Sequence, residues 1–119
     1  MHEIGIASSI LETVDAEARK RPEEKIIAVG LRIGELSNIS PDALTFAFEA
    51  LTRETPWENL KVEIEWCPRR QKCQGCGEEF AVVDFEMVCP KCGECRSTCI
   101  GGTELDIAYV ELEEPCARP

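Results

Sequence analysis

The strongest chemical signal in the sequence is a pair of identical short motifs. Cys73-Gln-Gly-Cys76-Gly77 and Cys89-Pro-Lys-Cys92-Gly93 are two copies of Cys-x-x-Cys-Gly, with twelve residues between Cys76 and Cys89. Two residues between cysteines let both sulfurs grip one ion while the amides of the turn point back at them. The following glycine can take the positive φ that closes such a knuckle. Four thiolates at about 2.3 Å in a tetrahedron suit Zn²⁺, whose filled d-shell imposes no other geometry. Such a site has no open coordination position, so the metal is structural rather than catalytic. A rubredoxin-like iron or a dithiol redox pair is the alternative chemistry. The loop of twelve is shorter than the usual guideline, and Phe80–Val88 can form a short hairpin across it.

Cys95 offers a second register, because Cys92-Gly-Glu-Cys95 is also Cys-x-x-Cys. Glycine favours the first, since Gly93 follows Cys92 whereas Arg96 follows Cys95. Cys67, Cys95, Cys99 and Cys116 remain as spare thiols, with Cys95-x-x-x-Cys99 a labile pair on the other reading. The single histidine, His2, stands beside the terminal amine. The Met1 amine, the His2 amide nitrogen and the imidazole can converge on one cation, and Glu3 or further amides can complete the shell. Planar amine and deprotonated amide nitrogens suit Ni²⁺ or Cu²⁺. A lone histidine is otherwise an ordinary surface or helix-end residue.

These residues need elements to position them. Ile4, Ala7, Ile10, Leu11, Val14 and Ala18 recur mostly at spacings of three and four, which predicts an amphipathic helix over Ile4–Arg21. Arg19-Lys20-Arg21 suits its negative end, and Pro22 terminates it. Ile27, Val29, Leu31 and Ile33 alternate with smaller or polar neighbours, predicting a strand over Lys25–Gly34. Ser40 reads as an N-cap with Pro41 at the first helical position, opening a helix that buries Leu44, Ala47, Phe48 and Leu51 and fades before Thr55-Pro56. Leu60, Val62, Ile64 and Trp66 share one face of a half-buried strand, with Lys61, Glu63 and Glu65 on the wet face. Apolar alternation from Leu105 to Leu112 gives a last strand that returns to the sheet. The expected class is α+β: a small mixed or antiparallel sheet with two helices, plus an inserted four-cysteine zinc-ribbon-like module. The expected domains are 1–67 with 104–119, and 68–103 for the zinc module.

The chain has 119 residues, with 23 acidic and 13 basic side chains and a formal charge of −10. Five basic and five acidic residues balance between Pro68 and Thr103, so the excess acidity lies outside the cysteine module. Such a chain repels nucleic acid and anionic lipid, and Arg69-Arg70-Gln71-Lys72 is at most a small basic patch. No apolar run approaches the roughly 20 residues of a membrane-spanning helix. The N-terminus lacks the basic and apolar regions of a signal peptide, and paired Cys-x-x-Cys units in such a chain point to the reducing cytosol. Glu35, Asp42 and Glu49 read as solvated or capping carboxylates. No Ser/His or Cys/His constellation exists beyond His2, so an enzyme is not expected.

Several stretches together resemble the hydrogenase nickel-incorporation family HypA/HybF. They are Met1-His2-Glu3 before an Ile-Ala-Ser-Ser-Ile helix, Val29–Glu35, Pro41–Leu51 with its Ala47-Phe48-Glu49 core, the two knuckles, and Gly102-Thr103-Glu104-Leu105. The resemblance implies a nickel metallochaperone that serves [NiFe]-hydrogenase maturation. Nickel then falls to His2 with the Met1 amine and the Glu3 region, and structural zinc to Cys73, Cys76, Cys89 and Cys92. The implied partners are a HypB-type GTPase and the hydrogenase large subunit, and the implied compartment is the cytoplasm. Cys95, Cys99 and Cys116 depart from the family pattern. A zinc-ribbon interaction module that handles no nickel is the rival, and an exposed strand edge leaves room for a homodimer.

Overall fold

Among the described residues the chain forms two helices and six strands, most of them along the stretches of apolar periodicity. The computed structural model describes residues 2–113, so Met1 and the spare thiol of Cys116 lie outside the described residues. In chain order the elements are α1 (His2–Lys20), β1 (Ile26–Gly34), a 3-10 turn (Glu35–Ser37), α2 (Pro41–Thr52), β2 (Lys61–Cys67), β3 (Arg70–Cys73), β4 (Glu79–Ala81), β5 (Ser97–Gly101) and β6 (Leu105–Leu112). They form two three-stranded sheets, ordered β2-β1-β6 and β4-β3-β5. Two compact units result: one takes residues up to Leu31, Ile39–Glu65 and the chain from Asp106, and the other takes Arg32–Asn38 with Trp66–Leu105.

In the first unit α1 packs on α2, with Ala7, Val14 and Leu44 fully buried. The α2 start follows from its sequence. Ser40 Oγ accepts from the Ala43 N–H at 3.2 Å, and Pro41 occupies a position whose N–H has no helical partner anyway. At the other end Thr55 N–H and Oγ1 both donate to the Thr52 carbonyl, at 3.0 and 2.6 Å, so the last turn is not left unsatisfied.

As the central strand, β1 is buried along nearly its whole length, whereas the edge strands β2 and β6 carry half-buried and exposed positions. That edge location explains Trp66, which the alternation places inward but which is 46% exposed. Gly30 of β1 lies under the Tyr109 ring, which occupies the space a side chain there would need. The Tyr109 hydroxyl donates a hydrogen bond to Glu63 Oε1, and Glu63 is half-buried.

The second unit carries a sheet of its own. β3 pairs antiparallel with β4 (Gln71 opposite Phe80) and with β5 (Gln71 opposite Cys99), with a bulge between Arg70 and Gln71. Gln71 is buried, and it is satisfied by the Arg69 Nε–H and by Ser97 Oγ. The hairpin expected over Phe80–Val88 contracts to one bridge, Val83 with Glu86, because β4 pairs with β3 instead.

Candidate metal centre

Two knuckles of matching geometry build the site. Cys73 N–H donates to the Glu78 carbonyl at 2.8 Å, and Cys89 N–H donates to the Glu94 carbonyl at 2.9 Å. Gly77 N–H closes on the Cys73 carbonyl at 3.1 Å, as Gly93 N–H does on the Cys89 carbonyl at 2.9 Å. Both closing glycines sit at φ +80°, a left-handed conformation that L side chains resist.

Within each turn the amides face the first sulfur. Cys73 Sγ accepts from Gly75 N–H at 3.2 Å and Cys76 N–H at 3.4 Å. Cys89 Sγ accepts from Lys91 N–H at 3.4 Å and Cys92 N–H at 3.5 Å. These first cysteines are buried with Phe80, while Cys76 and Cys92 are exposed. Burial of one sulfur per knuckle fixes the turn to the small core, and the second sulfur completes the group from the outside.

All four sulfurs lie within 4.8 Å of one another, with Cys73–Cys92 at 3.5 Å and Cys76–Cys89 at 3.7 Å. Four thiolates around an ion at about 2.3 Å would stand roughly 3.8 Å apart, so the separations suit one tetrahedral ion. They are far too long for a disulfide, whose sulfurs bond at about 2.05 Å. Among the described residues this is the one group of His, Cys, Asp and Glu side chains placed to hold a metal.

Electrostatics points the same way. Hydrogen bonds from the Cys76 and Gly75 amides lower the Cys73 thiol to about 7 against the opposing effect of burial. At Cys92 the Glu94 amide favours the thiolate, but the neighbouring Cys73, burial and the other two cysteines outweigh it and push the thiol up to about 12. Cys76 is also raised: the Glu78 amide favours its thiolate, but burial and the adjoining Cys89 and Cys73 prevail. One thiolate forms readily and the next ones resist, because like charges would share a small volume. A dication removes that resistance.

The remaining thiols are elsewhere. Cys95 is exposed and outside the sulfur group, Cys99 donates to the Gly101 carbonyl at 3.3 Å, and Cys67 is half-buried. Of the N-terminal candidates, His2 is described by its backbone, as the first residue of α1, and Met1 lies outside the described residues. Glu3 Oε2 accepts from the Ser40 N–H at 3.2 Å, so its carboxylate ties the start of α1 to the cap of α2. Sequence reasoning missed this role, since nothing in the spacing of residues 37 apart announces it.

A further junction emerges in the second unit. Gly34 N–H donates to the Glu104 carbonyl at 2.7 Å, and Leu36 N–H to the Gly102 carbonyl at 2.6 Å. Glu35 Oε1 accepts from the Arg69 N–H at 2.9 Å, and Glu104 Oε1 from the Gly102 N–H at 2.8 Å. Gly102 has φ +108°, and a Cβ there would lie 2.8 Å from Arg69 Cα. Gly34-Glu35 and Gly102-Thr103-Glu104 are therefore held against each other within the second unit.

Comparison with known proteins agrees with this architecture. Residues 1–112 match the family described as HypA, hydrogenase/urease nickel incorporation, metallochaperone. The hydrogenase maturation factor HypA of Geobacter metallireducens is 40% identical over 113 residues, covering 95% of this chain and all of that protein. Its counterpart in Chlorobaculum parvum is 34% identical with the same coverage. The solution structure of the Ni metallochaperone HypA from Helicobacter pylori superposes with a TM-score of 0.59 at 25% identity, covering 94% of this chain and 97% of that one. A second solution structure of a HypA protein gives 0.67 at 25% identity, over 95% and 97% of the two chains.

Proposed function

The chain belongs to the HypA family of nickel metallochaperones of hydrogenase maturation, and from that membership we propose that it carries Ni²⁺ at its N-terminus and delivers it to a [NiFe]-hydrogenase. Nickel is cargo and zinc is resident. His2 provides the imidazole and an amide nitrogen, the Met1 amine provides a third nitrogen, and the Glu3 region completes the shell. The single observation that carries this reading is the family match, which runs over nearly the entire chain in the right order.

The geometry of α1 is compatible with that chemistry. The first four amides of a helix have no carbonyl partner within it, so a metal at the His2 nitrogen displaces a proton without breaking an intrahelical hydrogen bond. Glu3, held to Ser40, anchors the base of the chelate. Amine, amide and imidazole must all lose protons to bind, so acid promotes release. Zinc is assigned to Cys73, Cys76, Cys89 and Cys92, whose donor set and separations fit it, and it holds the knuckles in their folded form.

We assign the nickel-binding domain to residues 1–67 with 104–119 and the zinc-binding domain to residues 68–103. The partners proposed are a HypB-type GTPase and the hydrogenase large subunit, met in the cytoplasm, and the role is that of a carrier rather than a catalyst. The test is His2→Ala, or an extension that blocks the terminal amine. Either abolishes nickel binding and leaves zinc and fold intact. Unchanged nickel affinity would overturn the assignment.

A further inference from the structure

The tip of the zinc module holds a residue that neither its turn nor its packing explains. Asp84 and Phe85 have φ of 55° and 62°, and the Glu86 N–H donates to the Val83 carbonyl at 2.9 Å. Two left-handed central residues closed by such a bond make a type I′ turn, the geometry served by Asn-Gly or Asp-Gly. Asp84 fits the first central position. At the second, where glycine is the unstrained choice, stands an aromatic residue, and for a bulky side chain a positive φ is a genuine outlier.

Burial offers no compensation, because Phe85 is 91% exposed. Backbone strain retained at an exposed aromatic is the mark of a functional position, and aromatics are the residues that anchor protein interfaces. The neighbourhood supports that role. Phe85 borders a hollow of about 350 Å³ with Leu36, Val82, Glu35, Asp84 and Arg69 around it, and Leu36 is itself 40% exposed. Glu35 and Asp84 line the hollow with one basic residue, Arg69, whose Nε–H is already donated to Gln71, and Glu86 follows Phe85 in the turn. Although the module as a whole is charge-balanced, this edge is acidic, because Asp84 and Glu86 flank Phe85 and Glu35 borders the hollow.

We propose that the Val83–Glu86 turn is a docking knob, where Phe85 and Leu36 receive an apolar segment of a protein partner flanked by lysine or arginine. The charge of the rim selects the basic flanks and excludes acidic surfaces. Resting on the carrier reading, the partner is the hydrogenase large-subunit precursor that accepts the nickel. No residue of the knob is a proposed metal ligand, so the contact can be removed while both metals stay bound.

The experiment measures the affinity of the nickel- and zinc-loaded full chain for purified, nickel-free large-subunit precursor. Phe85→Gly relieves the turn, so the variant keeps both metals and melts no lower than wild type, yet it binds the precursor at least about 30-fold more weakly, as expected for loss of an anchoring aromatic. Phe85→Leu keeps an apolar side chain and stays within about tenfold of wild type. Asp84→Lys with Glu86→Lys weakens binding and flattens its dependence on salt. Binding of Phe85→Gly within about threefold of wild type overturns the knob while leaving the carrier reading standing. Wild-type protein that binds no precursor overturns the partner and the knob together, while nickel loss in His2→Ala tests the carrier reading on its own.

Discussion

Gly77→Ala isolates the backbone energetics of the metal centre from its ligand chemistry. Gly77 sits at φ +80°, and a Cβ built there meets nothing within 4 Å. The substitution therefore adds no steric clash, only the cost of holding an L-residue in the left-handed region, about 1–2 kcal/mol. The knuckle must be closed to bind the ion but not in the metal-free ensemble, so the cost appears in metal affinity. At 1.4 kcal/mol per tenfold, zinc binding should weaken by about 5- to 30-fold. Competition against a zinc chelator of known affinity measures it directly. Gly93→Ala, at the same φ, should behave alike, and the two factors should multiply if the knuckles close independently. Gly75→Ala is the control. It lies outside the positive-φ set, and its Cβ would stand at ordinary contact distance from Glu94 Cβ and Cγ (3.4 Å) and from Cys73 Sγ (3.6 Å), so its effect should stay below about threefold. A Gly77→Ala protein that holds zinc as tightly as wild type would show that the closed turn is not a condition of binding.

Three further outcomes follow from the same structure. Cys73→Ala removes a buried sulfur that accepts two amides, so metal analysis should show zinc lost and the second unit unfolded, whereas exposed Cys95→Ala should keep full zinc; the reverse result would shift the register. With Cys73 near 7 but Cys92 near 12, zinc must displace protons from the raised thiols, so loading at neutral pH should release protons to an indicator dye and affinity should fall on acidification; a pH-independent affinity would contradict this. The one tyrosine, Tyr109, is raised above its ordinary 10 by its hydrogen bond to Glu63, with burial and the Glu63 charge adding to it. Its contribution to stability is in place below about pH 10 and is lost as pH rises through the folded value; tyrosinate absorbance should show the late titration, and Glu63→Gln should move it back.

Much of this molecule was legible because periodicity and capping are local. Ser40-Pro41 announced α2, and alternation announced β1, β2 and β6. The helix starts at His2 rather than at the first apolar position, Ile4, since an acidic first turn suits the helix dipole without any apolar signal. β3 was invisible for a different reason: Arg70-Gln71-Lys72-Cys73 has no aliphatic or aromatic alternation, and its buried residues are a metal-site cysteine and a glutamine satisfied by Ser97, 26 residues away. Leu51 is only half-buried, a matter of where the last turn of α2 ends over its support. At the metal centre the spacing of the cysteines was enough to group them, because each knuckle is closed by its own backbone. The pairing of Gly34-Glu35 with Gly102-Thr103-Glu104 inside the second unit was not readable, since both segments look like ordinary turns until the chain brings them together.

Metal content per chain, measured on protein with a free N-terminus after nickel loading and removal of loose metal, separates a nickel carrier from a zinc-only protein. One zinc and one nickel per chain are expected, with His2→Ala keeping the zinc and losing the nickel. Zinc alone in the wild-type protein, or nickel that survives His2→Ala, would contradict nickel carriage at the N-terminus.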